Sequence, residues 1–210
     1  MKRDVAGIIL AGGQSRRMGG GDKSLLPLGG GCVLDQVVLR FGPQIGSLAL
    51  SANGDASRFS RYELPVLADT VTGFAGPLAG ILSGLEWAAA KTACKAIVTV
   101  AGDTPFLPLD LVERLAGAAD QRPCLIAVAC SAGKRHPTFA LWPTDCRGAL
   151  RHFLVDEDIR RVSAFIDRHD FVEVEFPLPQ SAGQPVDPFF NVNEPDDLVQ
   201  AERLLRSMKP

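Results

Sequence analysis

The apolar run Val5-Ala-Gly-Ile-Ile-Leu10 opens directly into Ala11-Gly-Gly-Gln-Ser-Arg-Arg-Met-Gly-Gly-Gly-Asp-Lys23, and apolar residues return at Leu25. A short run this apolar, with three β-branched side chains, is the pattern of a strand buried on both faces. Its five following glycines let backbone N–H groups approach an anion, and Arg16, Arg17 and Lys23 bring the charge a polyphosphate requires. A buried strand that ends in such a loop predicts an α/β fold with a nucleotide at the strand's carboxyl end.

The rest of the chain continues the pattern. Apolar runs at Val5–Leu10, Ser47–Ser51, Val66–Leu67, Ala96–Val100, Leu125–Ala129, Thr138–Trp142 and Phe171–Phe176 read as strands. Leu34, Val37, Val38 and Phe41 fall at helical spacing between them, as do Leu78, Ile81, Leu82 and Leu85. Further helices are expected from Pro108 to about Ala118, around Ile159, Val162 and Ile166, and around Leu198, Ala201 and Leu205. Gly54–Arg61, Gly133–Pro137 and Pro177–Pro188 read as loops. The expectation is a Rossmann-like three-layer α/β/α sandwich with a mostly parallel sheet and an antiparallel edge from the C-terminal half. One domain spans residues 1–210, with a nucleotide-binding half to about residue 110 and an acceptor-binding half after it.

Composition narrows the partners. A net charge of −2 over 210 residues supports neither a broad nucleic-acid surface nor a membrane-binding one. No run approaches the ~20 apolar residues of a membrane span, and the short stretch after Met1-Lys-Arg meets glycine and arginine too early for an export signal. The five cysteines form no C-x-x-C pair, which suits reduced thiols in a cytoplasmic protein.

Four strand ends carry the candidate site. They read Ala11-Gly12-Gly13, Ser51-Ala52-Asn53, Ala68-Asp69-Thr70 and Ala101-Gly102-Asp103-Thr104-Pro105. Asp103 either caps the turn that follows or holds Mg²⁺, which takes one or two carboxylates alongside phosphate oxygens and waters. Asp69 either accepts hydrogen bonds from a base or ribose or starts the next turn. Arg17 offers a planar fork to phosphate and Lys23 a point charge. Asn191 and Asn193 alternate along a short extended stretch, so both could face one side, where they orient an acceptor phosphate, complete a metal shell or introduce the last helix. His136 lies beside Lys134 and Arg135, either an acceptor-phosphate patch or a solvated loop. The glycine loop is not a P-loop, because Asp22 stands where a glycine should precede Lys23-Ser24, and G-x-G-x-x-G is also missing.

Leu10-Ala-Gly-Gly-x-Ser-x-Arg-Met-Gly-x₂-Asp-Lys-x-Leu resembles the signature loop of nucleotidyltransferases. Gly76-Pro-Leu-Ala-Gly80, Gly102-Asp-Thr-Pro-Phe-Leu-Pro108, His136-Pro-Thr138 and Asn191-Val-Asn-x-Pro195 are similar, in order, to motifs of the molybdenum cofactor guanylyltransferase family. The resemblance implies transfer of GMP from GTP to the terminal phosphate of molybdopterin, with Mg²⁺ as cofactor and pyrophosphate as product. It also implies that Leu10, Ala11, Gly12, Gly13, Lys23 and Asp69 bind GTP, that Asp103 holds the metal and that Arg17 meets the triphosphate. Ser51 stands where the family pattern has Asn, with Asn53 two residues later, and the resemblance implies that these positions also meet the nucleotide. Proteins that deliver the pterin or receive the product are implied by the family alone. A phosphate monoester acceptor has its second pKa near ~6 and is its own nucleophile at neutral pH, so no Ser-His-Asp set is required. The same scaffold also suits a cytidylyltransferase, a sugar-phosphate nucleotidyltransferase or a non-catalytic nucleotide-binding module. The Gly12-Gly13 doublet favours guanine within the resemblance.

Overall fold

Strands of this chain alternate in the direction of their side chains, and both directions are apolar, so each strand requires cover on two faces. The computed structural model, which describes residues 5–12, 22–71, 73, 76–120, 125–181 and 183–207, supplies that cover with helices. In chain order the elements are β1 (Val5–Leu10), β2 (Pro27–Leu28), β3 (Gly31–Cys32), α1 (Val33–Phe41), β4 (Ser47–Ser51), β5 (Val66–Leu67), α2 (Pro77–Lys91), β6 (Ala96–Ala101) and α3 (Leu111–Ala119). There follow β7 (Ile126–Ser131), β8 (Lys134–Pro143), α4 (Arg147–Val155), α5 (Val162–Ile166), β9 (Phe171–Glu175), β10 (Gln180–Ser181), β11 (Gln184–Pro185) and α6 (Pro195–Ser207).

The main sheet has the order β5-β4-β1-β6-β8-β7-β9. Every neighbouring pair is parallel except the two that β8 makes, with β6 and with β7. The sheet is therefore mostly parallel, as expected, and the antiparallel strand comes from the C-terminal half. It lies inside the sheet, however, and parallel-running β9 forms the edge. Strand pattern fixes which residues extend, but the pairing partner is a long-range choice.

Alternation along β1 divides the core into two layers. Val5 and Ile9 pack with Leu34, Val37 and Phe41 of α1 and Leu111 and Leu115 of α3. Ala6 and Ile8 pack on the opposite face with Leu78, Ile81, Leu82 and Leu85 of α2 and with Leu150, Phe153 and Phe165 of α4 and α5. A smaller third cluster joins Leu28, Val33, Phe106, Val192 and Ala201 beneath α6. The α1 helix begins with Asp35 reaching back to the Cys32 backbone N–H at 2.7 Å, which satisfies one of the donors a helix start leaves open.

Several local expectations change, and the expected loop Pro177–Pro188 contains the short antiparallel pair β10–β11. Gly54–Arg61 is largely a 3₁₀ helix, Ala56–Tyr62, rather than an open loop. Gly133–Pro137 belongs mostly to β8, and the turn before it is Ala132-Gly133 with φ of 47° and 72°, the left-handed pair that a two-residue hairpin favours. Helix α4 was not expected, and the helix around Ile159, Val162 and Ile166 is shorter, with Ile159 outside it.

Candidate functional site

The crossovers from β1 to β4 and from β4 to β5 proceed to one side, and β6 then returns to the other side of β1. In an open parallel sheet, ligands bind where the winding reverses, outside the carboxyl ends of the strands. That point lies between the ends of β1 and β6, where Ala11-Gly12 and Gly102-Asp103 lie. Hydrogen bonds fasten the four strand ends in series. Ala52 N–H donates to Leu67 O at 3.0 Å, Ala11 N–H to Ser51 O at 2.8 Å and Gly102 N–H to Leu10 O at 2.9 Å.

Gly102 owes its identity to this approach. A Cβ there would lie 3.1 Å from Leu10 O and 3.2 Å from Ala11 Cα, so the close passage of two backbones, rather than room for a phosphate, requires glycine. Ser51 is buried, and its Oγ would be 2.5 Å from a Cβ at Gly80 of α2. Its carbonyl serves the β1 end, while the side chain that reaches across the strand ends is Asn53. Asn53 Nδ2 donates to Asp69 Oδ2 at 2.7 Å, and Asp69 N–H donates to Asn53 Oδ1 at 2.9 Å. This reciprocal pair leaves one Asn53 N–H and most of the Asp69 lone pairs for a ligand. Burial raises the Asp69 pKa, against the lowering effect of the Asn53 hydrogen bond.

On the other side of the switch point, Asp103 follows β6. Burial raises its pKa, and Lys23 is close enough for its ammonium to oppose that rise. Lys23 begins the 3₁₀ turn Lys23–Leu25, and its Nζ donates to Asn193 Oδ1 at 2.6 Å. Arg17 and Gly13 lie outside the described residues, as does the rest of the loop from 13 to 21.

A segment preceding α6 crosses this end of the sheet and ties the two halves together. Val192 N–H donates to Asp103 O at 2.8 Å, and Thr104 Oγ1 donates to Asn191 Oδ1 at 2.6 Å. Asn191 is thus tied to Thr104 and Asn193 to Lys23, while Val192 packs into the cluster beneath α6. At its other end the segment is held by Asp187, whose Oδ1 accepts from Ser131 Oγ at 2.9 Å and from Phe189 N–H at 2.9 Å. Ser131 Oγ is also 2.7 Å from His136 Nε2. The single serine proton goes to the carboxylate, so His136 donates from Nε2 and carries its hydrogen there.

The structure buries His136 and separates it from Arg135. It is 9% exposed and stacks on Phe189 with ring centroids 4.4 Å apart, while Arg135 turns away to Asp167 and Glu173. Burial lowers its pKa, with Asp187 and Glu175 opposing and Lys134 assisting that shift. Thr104, Ser131 and Asp187 were not singled out from the sequence. Each is a short polar residue beside a proline, a glycine turn or a strand end, where many such residues only cap turns.

Among the described residues, no group of three or more His, Cys, Asp or Glu could hold a metal unaided. Asp103 contributes one carboxylate, which fits Mg²⁺ that arrives already bound to phosphate oxygens and water. No described helix is long and apolar enough to cross a membrane.

Comparison with known proteins agrees with this architecture. The family model described as MobA-like NTP transferase domain matches residues 7–172. A protein of Mesorhizobium japonicum named molybdenum cofactor guanylyltransferase is 77% identical over 208 residues, covering 99% of each chain. A protein of the same name from a Bradyrhizobium species is 49% identical over 201 residues, covering 95% of this chain and 92% of its own. Among solved structures, molybdopterin-guanine dinucleotide biosynthesis protein A of Archaeoglobus fulgidus superposes with a TM-score of 0.75 at 22% identity, covering 97% of this chain and 100% of its own. That last likeness supports the fold, and the two sequence relatives and the family model carry the assignment. The chain is a nucleotidyltransferase and belongs to the molybdenum cofactor guanylyltransferase family.

Proposed function

We propose that this enzyme transfers GMP from GTP to the terminal phosphate of molybdopterin, releasing pyrophosphate and forming the guanine dinucleotide cofactor. The observation that carries the reading is the meeting of Lys23, Asp103 and the Asn53–Asp69 pair at one end of adjacent parallel strands, in a chain whose relatives bear that name. Leu10, Ala11 and Gly12 line the nucleotide's path, with Gly13 and Arg17 in the continuation of the loop. The Asn53–Asp69 pair meets base or ribose. Lys23 and Arg17 bind the triphosphate. Asn191 and Asn193 face the acceptor side.

The acceptor phosphate oxygen attacks the α-phosphorus, and the bond from that phosphorus to the β-phosphate oxygen breaks. No protein nucleophile is needed, so the protein's contribution is alignment of two anions and stabilisation of the charge that leaves. Mg²⁺, held by Asp103 when present, would supply charge neutralisation on the phosphates. The strap through Asn191 and Asn193 fixes Asp103 and Lys23 relative to one another, which is what an in-line displacement demands.

The test is a thermal-shift titration with GTP, CTP, UTP and ATP in the presence of Mg²⁺. It is followed by GTP turnover with a purified molybdopterin-bearing protein, read as pyrophosphate and as guanine in the product. Preferential stabilisation by GTP and guanine incorporation are expected, and Lys23→Ala should weaken GTP by about tenfold or more. Preferential stabilisation by CTP would overturn the assignment of the base.

A further inference from the structure

The 3₁₀ helix Ala56–Tyr62 replaces an expected loop, and it carries an arginine whose bonds are unusually complete. Arg58 Nε binds the carboxylate of Asp22, Nη1 donates to Asp55 O, and Nη2 donates to Asn53 O at 2.7 Å. Its guanidinium also covers the Phe59 ring, 4.5 Å from the centroid. The ion pair is largely shielded, with side-chain exposures of 24% for Arg58 and 18% for Asp22.

Both ends of this bridge lead into the nucleotide site. Asp22 begins the turn that presents Lys23, since Leu25 N–H donates to Asp22 O at 3.0 Å. Asn53 is the partner of Asp69. One rigid, planar cation therefore joins the residue before the phosphate-binding lysine to the residue that pairs with the base- or ribose-facing carboxylate.

We infer that Arg58 is a positioning residue for nucleoside triphosphate binding, a latch that sets the spacing between Lys23 and the Asn53–Asp69 pair. The inference rests on the nucleotide site proposed above. Arg58 acts through Asp22 and Asn53 and needs no contact with the nucleotide. Its three-way geometry depends on the guanidinium fork, which lysine cannot reproduce. A latch of this kind benefits a ligand that must reach both ends of the site at once. A ligand that occupies only the phosphate end gains less.

The experiment is calorimetric titration of GTP and of tripolyphosphate into wild-type protein and into R58Q, R58K, D22N and the double variant R58Q/D22N, with thermal midpoints measured in parallel. R58Q and D22N should each weaken GTP by about tenfold. The double variant should be no weaker than either single one, because both remove the same ion pair. R58K should recover only part of the affinity, and tripolyphosphate should lose less than GTP. A wild-type GTP affinity in R58Q, whatever its thermal midpoint, would overturn the latch. So would additive losses in the double variant, or equal losses for GTP and tripolyphosphate. If the wild type prefers another nucleoside triphosphate, the base assignment fails and the same series on that nucleotide decides the latch. Binding of tripolyphosphate with none of the four nucleotides would overturn both.

Discussion

The irregular stretch of β8 that carries His136 is held from behind by a buried hydroxyl, and that hydroxyl is open to a sharp test. The β7–β8 register runs Val128↔Ala140 and then jumps to Ala129↔His136, so Pro137, Thr138 and Phe139 bulge out of the ladder. Thr99 on β6 meets this bulge. Its Oγ1 donates to Thr138 O at 2.8 Å and accepts from Trp142 Nε1 at 2.9 Å, and both Thr99 and Trp142 are 0% exposed. Thr99→Val preserves shape and removes both bonds. An orphaned buried donor or acceptor costs about 1–3 kcal/mol each, and Thr138 is only half-buried, so the net loss should be about 2–4 kcal/mol. For a chain of this size that is a fall of roughly 5–15 °C in thermal midpoint. Thr99→Ser keeps the hydroxyl and loses one methyl group, for about 1 kcal/mol. Thermal and urea unfolding followed by circular dichroism should therefore rank T99V below T99S. If T99S proves equal to or worse than T99V, the site is held by packing and the hydrogen-bond argument fails.

Three further outcomes concern the ionisable groups Asp103 and His136. Asp103→Asn should reduce pyrophosphate release by about 10²–10³-fold, as expected for loss of one electrostatic stabiliser. The raised pKa of Asp103 means that the native state takes up its proton more readily than the unfolded chain, so this group's contribution to stability falls as pH rises above its ordinary value of 3.8. Asn has no such loss, and the D103N midpoint should gain on the wild type as pH rises above 3.8; a growing deficit as pH rises would contradict the buried-charge account. His136 has the opposite sign. Its lowered pKa makes its contribution complete above the ordinary value of 6.5 and progressively lost as pH falls below it. The wild-type midpoint should drop from about pH 7.5 to 5.5 more steeply than that of H136Q, and parallel slopes would remove His136 from the acid sensitivity.

The strands of the first half and the positions of their ends were legible because their information is local. Val5–Leu10 and the residues after it occupy a continuous stretch, and each of the strand ends at Asn53, Asp69 and Asp103 follows its own apolar run. The other half depends on contacts between distant residues. Nothing near Lys134 indicates that β8 enters the sheet between β6 and β7, or that a bulge turns His136 inward. Leu150, Phe153 and Leu154 have helical spacing with Gly148, Arg151 and His152 on the opposite face, but the stripe is only about one turn long, and α4 was not anticipated. Arg58 sits in a stretch of glycine, aspartate and serine that reads as a loop, because a 3₁₀ turn of this length need not show an amphipathic period. Its role emerges only when Asp22, 36 residues earlier, is placed against it.

The same contrast explains why the segment from Asp187 to Asn193 matters more than its sequence suggests. Joining two phosphates requires the nucleotide's α-phosphorus and the acceptor oxygen to meet in line, and small errors of placement, about 1 Å, can reduce rate by ~10²-fold. The groups proposed for this, Lys23 on a turn before β2 and Asp103 after β6, sit on different parts of the chain, and Ser131 with His136 lies on the β7–β8 hairpin further along. The segment bonds to each of these places, through Asn193, the Val192 backbone and Asp187 respectively. Val192 is meanwhile fully buried with Leu28, Val33, Phe106 and Ala201, so the segment cannot shift without opening that cluster. Apolar burial thus supplies the rigidity, and Asn193 and the Val192 backbone transmit it to Lys23 and Asp103. A loop that was only a helix entry would need one such tie, and this one has several that converge on the strand ends where the nucleotide is proposed to bind.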